Sequence, residues 1–133
     1  MPKVLIIDDS AVMRKIIQRK IQQSGLLVDE FVEAGDGGEG LEKVTANNID
    51  LILCDWDMPN LMGRAMTGAG FVKAVRGSGE KSNIHIVMIT TEGGKAKTEE
   101  VKNSGANGYL TKPFTLNQLK AELEKFLTMK IKR

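Results

Sequence analysis

The sequence predicts an α/β protein with a doubly wound parallel sheet, and three observations lead to this class. Five short apolar runs alternate with stretches of helical periodicity, as they do in βαβ units. The length, 133 residues, suits one domain, and a composition of 41% hydrophobic and 27% charged residues is ordinary for a globular protein. Right-handed crossovers then place helices on both faces of the sheet. We therefore expect one domain over residues 1–133.

Each predicted strand is a short run rich in aliphatic residues, which is typical of parallel strands buried on both faces. The runs are Val4–Ile7, Asp29–Ala34, Leu51–Cys54, Ile84–Ile89 and Gly108–Leu110. The second is partly polar and the fifth is short. The alternation predicts five parallel strands, each followed by a helix.

Three of the predicted helices are marked by residues that favour helix ends. The first has apolar residues at helical spacing and ends at Gly25. The second begins at Asp36, where Glu39 three residues later completes a capping-box pattern. The fifth begins at Thr115 with the same pattern to Gln118. These signals fix where three of the five helices begin or end.

The other two helices lack a capping pattern at their start. The third runs over Met66–Arg76 and ends at Gly77. The fourth, Lys95–Asn103, is poor in apolar residues and follows two glycines. We expect the fourth helix to be the least firmly packed.

Polar residues stand where four of the strands end. They are Asp8 and Asp9 after the first strand, Asp55 and Asp57 after the third, Thr90 after the fourth and Lys112 after the fifth. Ligands of open α/β sheets bind beyond the carboxyl ends of the strands, so we expect these side chains to share one pocket.

The chemistry of this set indicates a hard cation and phosphoryl transfer. Two carboxylates about 5 Å apart repel by roughly 3 kcal/mol at an effective dielectric of about 20, so the cluster needs neutralisation. Oxygen ligands without histidine or cysteine suit Mg²⁺ better than zinc. A carboxylate in such a site is a plausible nucleophile toward phosphorus, with Lys112 and the Thr90 hydroxyl placed to bind phosphoryl oxygens.

The segments that carry these residues resemble the receiver domains of two-component signalling, most closely those of chemotaxis response regulators. The segments are Val4–Ser10, Leu51–Asn60, Met88–Glu92 and Gly105–Thr115. The resemblance covers essentially the whole chain. It implies a flavodoxin-like (βα)5 sandwich with strand order 2-1-3-4-5, and a receiver over residues 1–133 without an output domain.

The resemblance also implies a role for individual residues of the pocket. Asp55 is similar to the phosphoacceptor, and Asp8 and Asp9 to the acidic pair that binds one Mg²⁺ with it. Asp57 matches the position that offers its backbone carbonyl to the ion. Lys112 matches the lysine that contacts the phosphoryl group and precedes a cis peptide bond to Pro113.

Two further positions match a conformational switch. Thr90 is similar to the switch hydroxyl, and Tyr109 to the aromatic residue that moves between outward and inward rotamers. The resemblance therefore implies that the Thr90 hydroxyl and the Tyr109 ring move together when the domain is activated.

The rim of the pocket departs from the family pattern. Asp57, Thr91 and Glu92 occupy positions that modulate the phosphoryl lifetime, and chemotaxis members carry Asn and Ala at the first two. The chain between Asp55 and Thr90 is also about five residues longer than usual, with the insertion placed at Leu61–Ala65 or, nearly as well, after Gly63. The resemblance therefore leaves the lifetime and the role of the insertion open.

The partners follow from the resemblance and the composition. We expect phosphorylation by a sensor histidine kinase, and output through a flagellar motor switch protein or another downstream protein, with a phosphatase as a further partner. The lone Cys54 suits a reducing cytoplasm. A net charge of +2 gives no reason to expect nucleic acid, and the apolar runs are too short for a membrane span. We expect a cytoplasmic monomer that is not an enzyme, beyond catalysing its own phosphorylation and dephosphorylation.

Alternative functions rest on weaker patterns. A phosphorelay intermediate, or another single-domain receiver, has the same site and differs only in its output. Asp55-Trp56-Asp57 is similar to the D-x-D nucleophile of small aspartate phosphatases, although that motif normally follows the first strand. Gly35–Gly40 matches a dinucleotide-binding pattern, but it follows the second strand and the rest of such a domain is missing.

Overall fold

The computed structural model describes residues 2–56, 68–77, 79, 84–91 and 95–127. Its centre is a five-stranded parallel sheet of order β2-β1-β3-β4-β5, so the strand order implied by the resemblance is confirmed. The strands are β1 (Lys3–Ile7), β2 (Glu30–Ala34), β3 (Leu51–Asp55), β4 (His85–Thr90) and β5 (Gly108–Thr111). Each differs from its predicted bounds by one residue at one or both ends: pairing extends one residue past the apolar run at the start of β1 and at the ends of β3, β4 and β5, whereas β2 and β4 begin one residue later than predicted.

A helix follows each strand. The helices are α1 (Ala11–Ser24), α2 (Gly37–Ala46), α3 (Gly68–Arg76), α4 (Lys95–Asn103) and α5 (Leu116–Leu123). The predicted start of α3 at Met66 lies outside the described residues. None of the helices in the described ranges is long and apolar enough to cross a membrane.

The alternation of side chains along the strands divides the core into two layers. On one face, Ile52, Cys54 and Met88 pack with α2, α3 and α4, and α4 contributes Val101. On the other face, Leu53 packs with the buried sides of α1 and α5. Both faces of the three central strands are thereby covered, which explains why their sequences are almost continuously apolar.

Two of the predicted helix ends are confirmed and one is corrected. Thr115 and Gln118 form a complete capping box at α5. At α2, the Asp36 carboxylate accepts a hydrogen bond from the Glu39 N–H, but Glu39 accepts from the N–H of Gly35 and not from that of Asp36. The Glu39 side chain reaches past the cap residue Asp36 to the residue before it. The second hydrogen bond of the predicted capping box is therefore displaced by one position.

The end of α1 depends on a left-handed residue. Gly25 has φ 82° and its N–H donates to the Gln22 carbonyl. A residue with a Cβ is strained there by about 1–2 kcal/mol. We expect Gly25→Ala to lower the free energy of unfolding by about that amount in denaturant titrations, whereas Gln23→Ala, two residues earlier in α1 and exposed, should change it little. Equal effects of the two variants would show that the left-handed cap contributes nothing.

Candidate metal centre

The site lies where the order of strands in the sheet reverses. Asp8 directly follows β1 and Asp55 is the last residue of β3, and these strands are neighbours with Ile7 opposite Cys54. On its other side β1 pairs with β2, so the helices after β1 and β3 leave the sheet in opposite directions. This is the switch point at which open α/β sheets bind ligands.

Three carboxylates meet at this point. Asp8, Asp9 and Asp55 each offer one oxygen, and these oxygens lie within 4.8 Å of one another. Asp8 and Asp55 are only 3% and 6% exposed, while Asp9 faces solvent. Buried carboxylates this close repel unless a cation lies between them, and an all-oxygen ligand set suits Mg²⁺. The residues present therefore fit the metal that the sequence predicted.

Lys112 supplies the ammonium of the site. Its Nζ lies 3.2 Å from Asp8 Oδ2 and 3.7 Å from Asp55 Oδ2, with the side chain largely buried. Lys112 follows β5, and the peptide bond to Pro113 is cis. Three carboxylates and one ammonium leave two formal negative charges, the number that a divalent cation neutralises.

Backbone hydrogen bonds continue past the strand ends and hold the site residues in place. The Asp8 N–H donates to the Ala34 carbonyl, the Trp56 N–H to Ile89, and the Lys112 N–H to the carbonyl of Thr90, at 2.7–3.1 Å. The carboxylates therefore stand on strands and on turns tied to neighbouring strands, which limits how far they can move apart.

Thr90 and Tyr109 lie on the same side of the sheet. Thr90 is fully buried at the end of β4, two residues after Met88 and so on the same face. Tyr109 is half-buried and packs against the core cluster that contains Met88 and Val101. The structure thus places the ring and the hydroxyl on the face that also carries α4.

Cys54 lies behind Asp55 but is not a competing nucleophile. Its thiol is fully buried and lies 3.6 Å from the Asp55 carbonyl oxygen. Burial raises the pKa of the thiol well above its usual value, and the charges of Asp55 and Asp8 raise it further. Cys54 therefore remains protonated and acts as a packing residue.

Some predicted rim residues lie outside the described part of the chain. These are Asp57, Glu92 and the insertion at Leu61–Ala65. Thr91 is described and exposed directly after β4. The structure therefore brings together Asp8, Asp9, Asp55 and Lys112, and places Thr90 at the end of the strand beside Asp55.

Sequence reasoning missed two residues that contact Asp8. The Ser10 N–H donates to Asp8 Oδ1 at 2.9 Å, while the Ser10 hydroxyl caps α1. Arg14 donates through Nη1 to the Asp8 carbonyl at 2.6 Å. Ser10 could have been recognised from the sequence as a helix cap, because it directly precedes the first helix. Arg14 stands one turn into that helix, where the helix dipole disfavours a cation, and this could have marked it as a residue with a specific partner.

Comparison with known proteins agrees with this geometry. The family model for the response regulator receiver domain matches residues 4–124. Chemotaxis protein CheY1 of Helicobacter pylori is 41% identical over 123 residues, which cover 92% of this chain and 94% of the relative. A chemotaxis protein CheY homolog of Campylobacter jejuni is 38% identical over 126 residues, or 94% of this chain and 92% of the relative.

A solved structure shares the whole architecture. The chemotaxis response regulator CheY4 of Vibrio cholerae is 38% identical, with a TM-score of 0.81 over 96% of this chain and 99% of that structure. The region matched by the family model contains each described site residue, from Asp8 to Lys112.

Proposed function

Because the chain belongs to the response regulator receiver family, we propose that it accepts a phosphoryl group on Asp55 in a Mg²⁺-dependent reaction and signals through the resulting change of shape. The observation that carries the proposal is the meeting of Asp8, Asp9, Asp55 and Lys112 at the switch point of the sheet. We further propose that the receiver spans residues 1–133 and acts in the cytoplasm as a monomer.

In the proposed phosphoryl transfer, Asp55, Lys112 and Thr90 each have one role. An Asp55 carboxylate oxygen attacks the phosphorus of a phosphohistidine, and the P–N bond breaks as the new P–O bond forms. The imidazole leaves and takes up a proton. Lys112, already 3.7 Å from Asp55, pairs with a phosphoryl oxygen, and the Thr90 hydroxyl donates to another.

Metal binding falls to the acidic cluster. Asp8, Asp9 and Asp55 would hold Mg²⁺ through side-chain oxygens and Asp57 through its backbone carbonyl. When bound, the ion neutralises the carboxylates and the phosphoryl oxygens and so removes the repulsion between the two anionic reactants. We propose Asp57, Thr91 and Glu92 as rim residues that set how long the phosphoryl group persists.

The donor and the output follow from the relatives. We propose a sensor histidine kinase as donor and a flagellar motor switch protein as the downstream partner, because the similar proteins are named as chemotaxis proteins. A phosphorelay intermediate is the second candidate, since the same pocket would serve it. A phosphatase that acts on the phosphorylated chain is a further proposed partner.

A small phosphodonor tests the function and separates it from phosphatase activity. With Mg²⁺ present, intact-mass measurement should find one phosphoryl group added per chain, and a phosphomonoester should not be turned over. Continuous release of phosphate from a monoester would favour the aspartate phosphatase, and a chain that takes up nothing from the donor would refute the receiver proposal.

Activation should couple Thr90 to Tyr109 and to α4. Once the Thr90 hydroxyl moves toward the phosphoryl group, it vacates space on the face where Tyr109 packs, and the weakly apolar α4 on that face adjusts. We expect beryllofluoride with Mg²⁺ to change amide exchange in residues 95–110. The Thr90→Val variant should bind the mimic without that change; exchange that shifts equally in both proteins would show that Thr90 is not the switch.

A further inference from the structure

The backbone of Asp8 is held by a guanidinium from outside the pocket. Arg14 lies on α1, and its Nη1 donates to the Asp8 carbonyl at 2.6 Å. The Asp8 N–H donates to Ala34, and the carboxylate oxygens accept from Ser10 and Lys112. Each polar group of Asp8 therefore has a partner, and the partner of its carbonyl is Arg14, six residues further along the chain.

Arg14 is itself fixed by an anion on the neighbouring strand. Its Nε donates to Glu33 Oε1 at 2.9 Å, and Glu33 lies on β2 beside β1. Lys15 binds the other Glu33 oxygen at 2.7 Å. The hydrogen bond from Lys15, and after it those from Arg14 and Gln18, outweigh partial desolvation and together lower the pKa of Glu33 to about 2, so the anchor stays ionised.

The charge of Glu33 reduces the repulsion that Arg14 would exert on a cation in the site. A bare guanidinium beside an acidic cluster would repel an incoming cation. The Glu33 carboxylate offsets part of the charge of Arg14 while Arg14 holds the Asp8 carbonyl, although the same carboxylate also binds Lys15. A lysine would not serve equally, since only the guanidinium fork reaches two acceptors in fixed directions.

We propose that Arg14 is a positioning residue that holds the Asp8–Asp9 turn in the geometry needed to bind the divalent cation. The proposal rests on the function proposed above and adds a residue outside the pocket to it. Groups behind metal ligands typically change metal affinity by about 10–100-fold when they are removed, through the position of the ligands.

A positioning role and a purely electrostatic role of Arg14 predict opposite changes in Mg²⁺ affinity for the variant Arg14→Met. Arg14→Met removes a positive charge near the cation, so electrostatics alone would tighten Mg²⁺ binding. If Arg14 positions the turn, Mg²⁺ should bind about tenfold more weakly, as measured by titration of Trp56 emission and by calorimetry. Labelling by a small phosphodonor should then return close to the wild-type rate at saturating Mg²⁺.

Lys15→Met is the matched control. Lys15 is the next residue on the same helix and binds the same carboxylate, but its side chain is 68% exposed and reaches Glu33 from the solvent side. We expect Lys15→Met to leave Mg²⁺ affinity within about twofold, because surface ion pairs contribute little. Arg14→Lys should recover affinity only in part.

Outcomes of the titration separate the two proposals. Unchanged or tighter Mg²⁺ binding by Arg14→Met, in a protein whose melting temperature shows it to be folded, would overturn the positioning role and leave the receiver proposal intact. Full recovery by Arg14→Lys would also overturn it, because charge without the fork would then suffice. A wild-type chain that binds no Mg²⁺ would instead refute the proposed function on which this inference rests.

Discussion

Asp55→Asn should abolish phosphoryl uptake from a small phosphodonor. The change removes the nucleophilic oxygen and keeps the size of the side chain, so the fold should survive it. Asp55 is the carboxylate at the end of the central strand β3, buried, and 3.7 Å from the Lys112 ammonium. An amide at this place is too weak a nucleophile to replace the carboxylate. Intact-mass measurement should find the wild-type chain labelled once and the variant unlabelled.

Asp50→Asn is the control for this variant. Asp50 directly precedes the same strand at its opposite end, where Oδ2 accepts a hydrogen bond from the Lys3 N–H. An asparagine can accept that bond equally, so labelling of Asp50→Asn should match that of the wild type. Undiminished labelling of Asp55→Asn would show that another residue accepts the phosphoryl group.

Mg²⁺ should raise the thermal stability of the chain strongly. The ion binds the assembled cluster of Asp8, Asp9 and Asp55, whose oxygens lie within 4.8 Å of one another, and binds the unfolded chain much less. At a hundredfold excess over Kd, the gain is about 2.7 kcal/mol, which corresponds to about 10 °C in melting temperature. Melting curves with and without millimolar Mg²⁺ measure it, with Ca²⁺ and Na⁺ compared at equal ionic strength.

The two acidic residues after β1 should respond differently to neutralisation. Asp9→Asn relieves repulsion and keeps both Lys112 ion pairs, so it should stabilise the metal-free protein. Asp8→Asn also loses the ion pair to Lys112, which offsets the relief. Both variants should lose most of the stabilisation by Mg²⁺. Melting curves that rise with Mg²⁺ as steeply in both variants as in the wild type would contradict the metal site.

Most helices and strands could be predicted from the sequence because each depends on a local pattern of apolar residues and helix-end residues. Leu51–Cys54, and Ile86–Ile89 within the predicted fourth strand, are buried on both faces, so their aliphatic composition and their place in the sheet agree. Gly25 and Thr115 ended and began helices as their chemistry predicts. The strand order was not readable from these patterns, since it depends on crossovers between distant segments, and it came from the resemblance.

The residues of the pocket could also be predicted from the sequence. The residues that hold them in place, such as Arg14, could not. Parallel strands end at one edge of the sheet, so Asp8, Asp55 and Lys112 were expected at the same edge, where the structure brings them together. The contact of Arg14 with the Asp8 carbonyl depends on where α1 lies relative to the turn after β1 and to Glu33 on β2. Backbone acceptors leave no mark in the sequence, so such a contact becomes visible only when helix and strand are placed in space.

Trapping the phosphorylated residue tests the central claim most directly. An acyl phosphate on aspartate is reduced by borohydride to homoserine, a change that peptide mass spectrometry assigns to one position. After a small phosphodonor and Mg²⁺, we expect homoserine at position 55 alone, and none when Mg²⁺ is chelated. Homoserine at another aspartate, phosphate retained on a serine or histidine, or labelling that does not depend on Mg²⁺ would contradict the account.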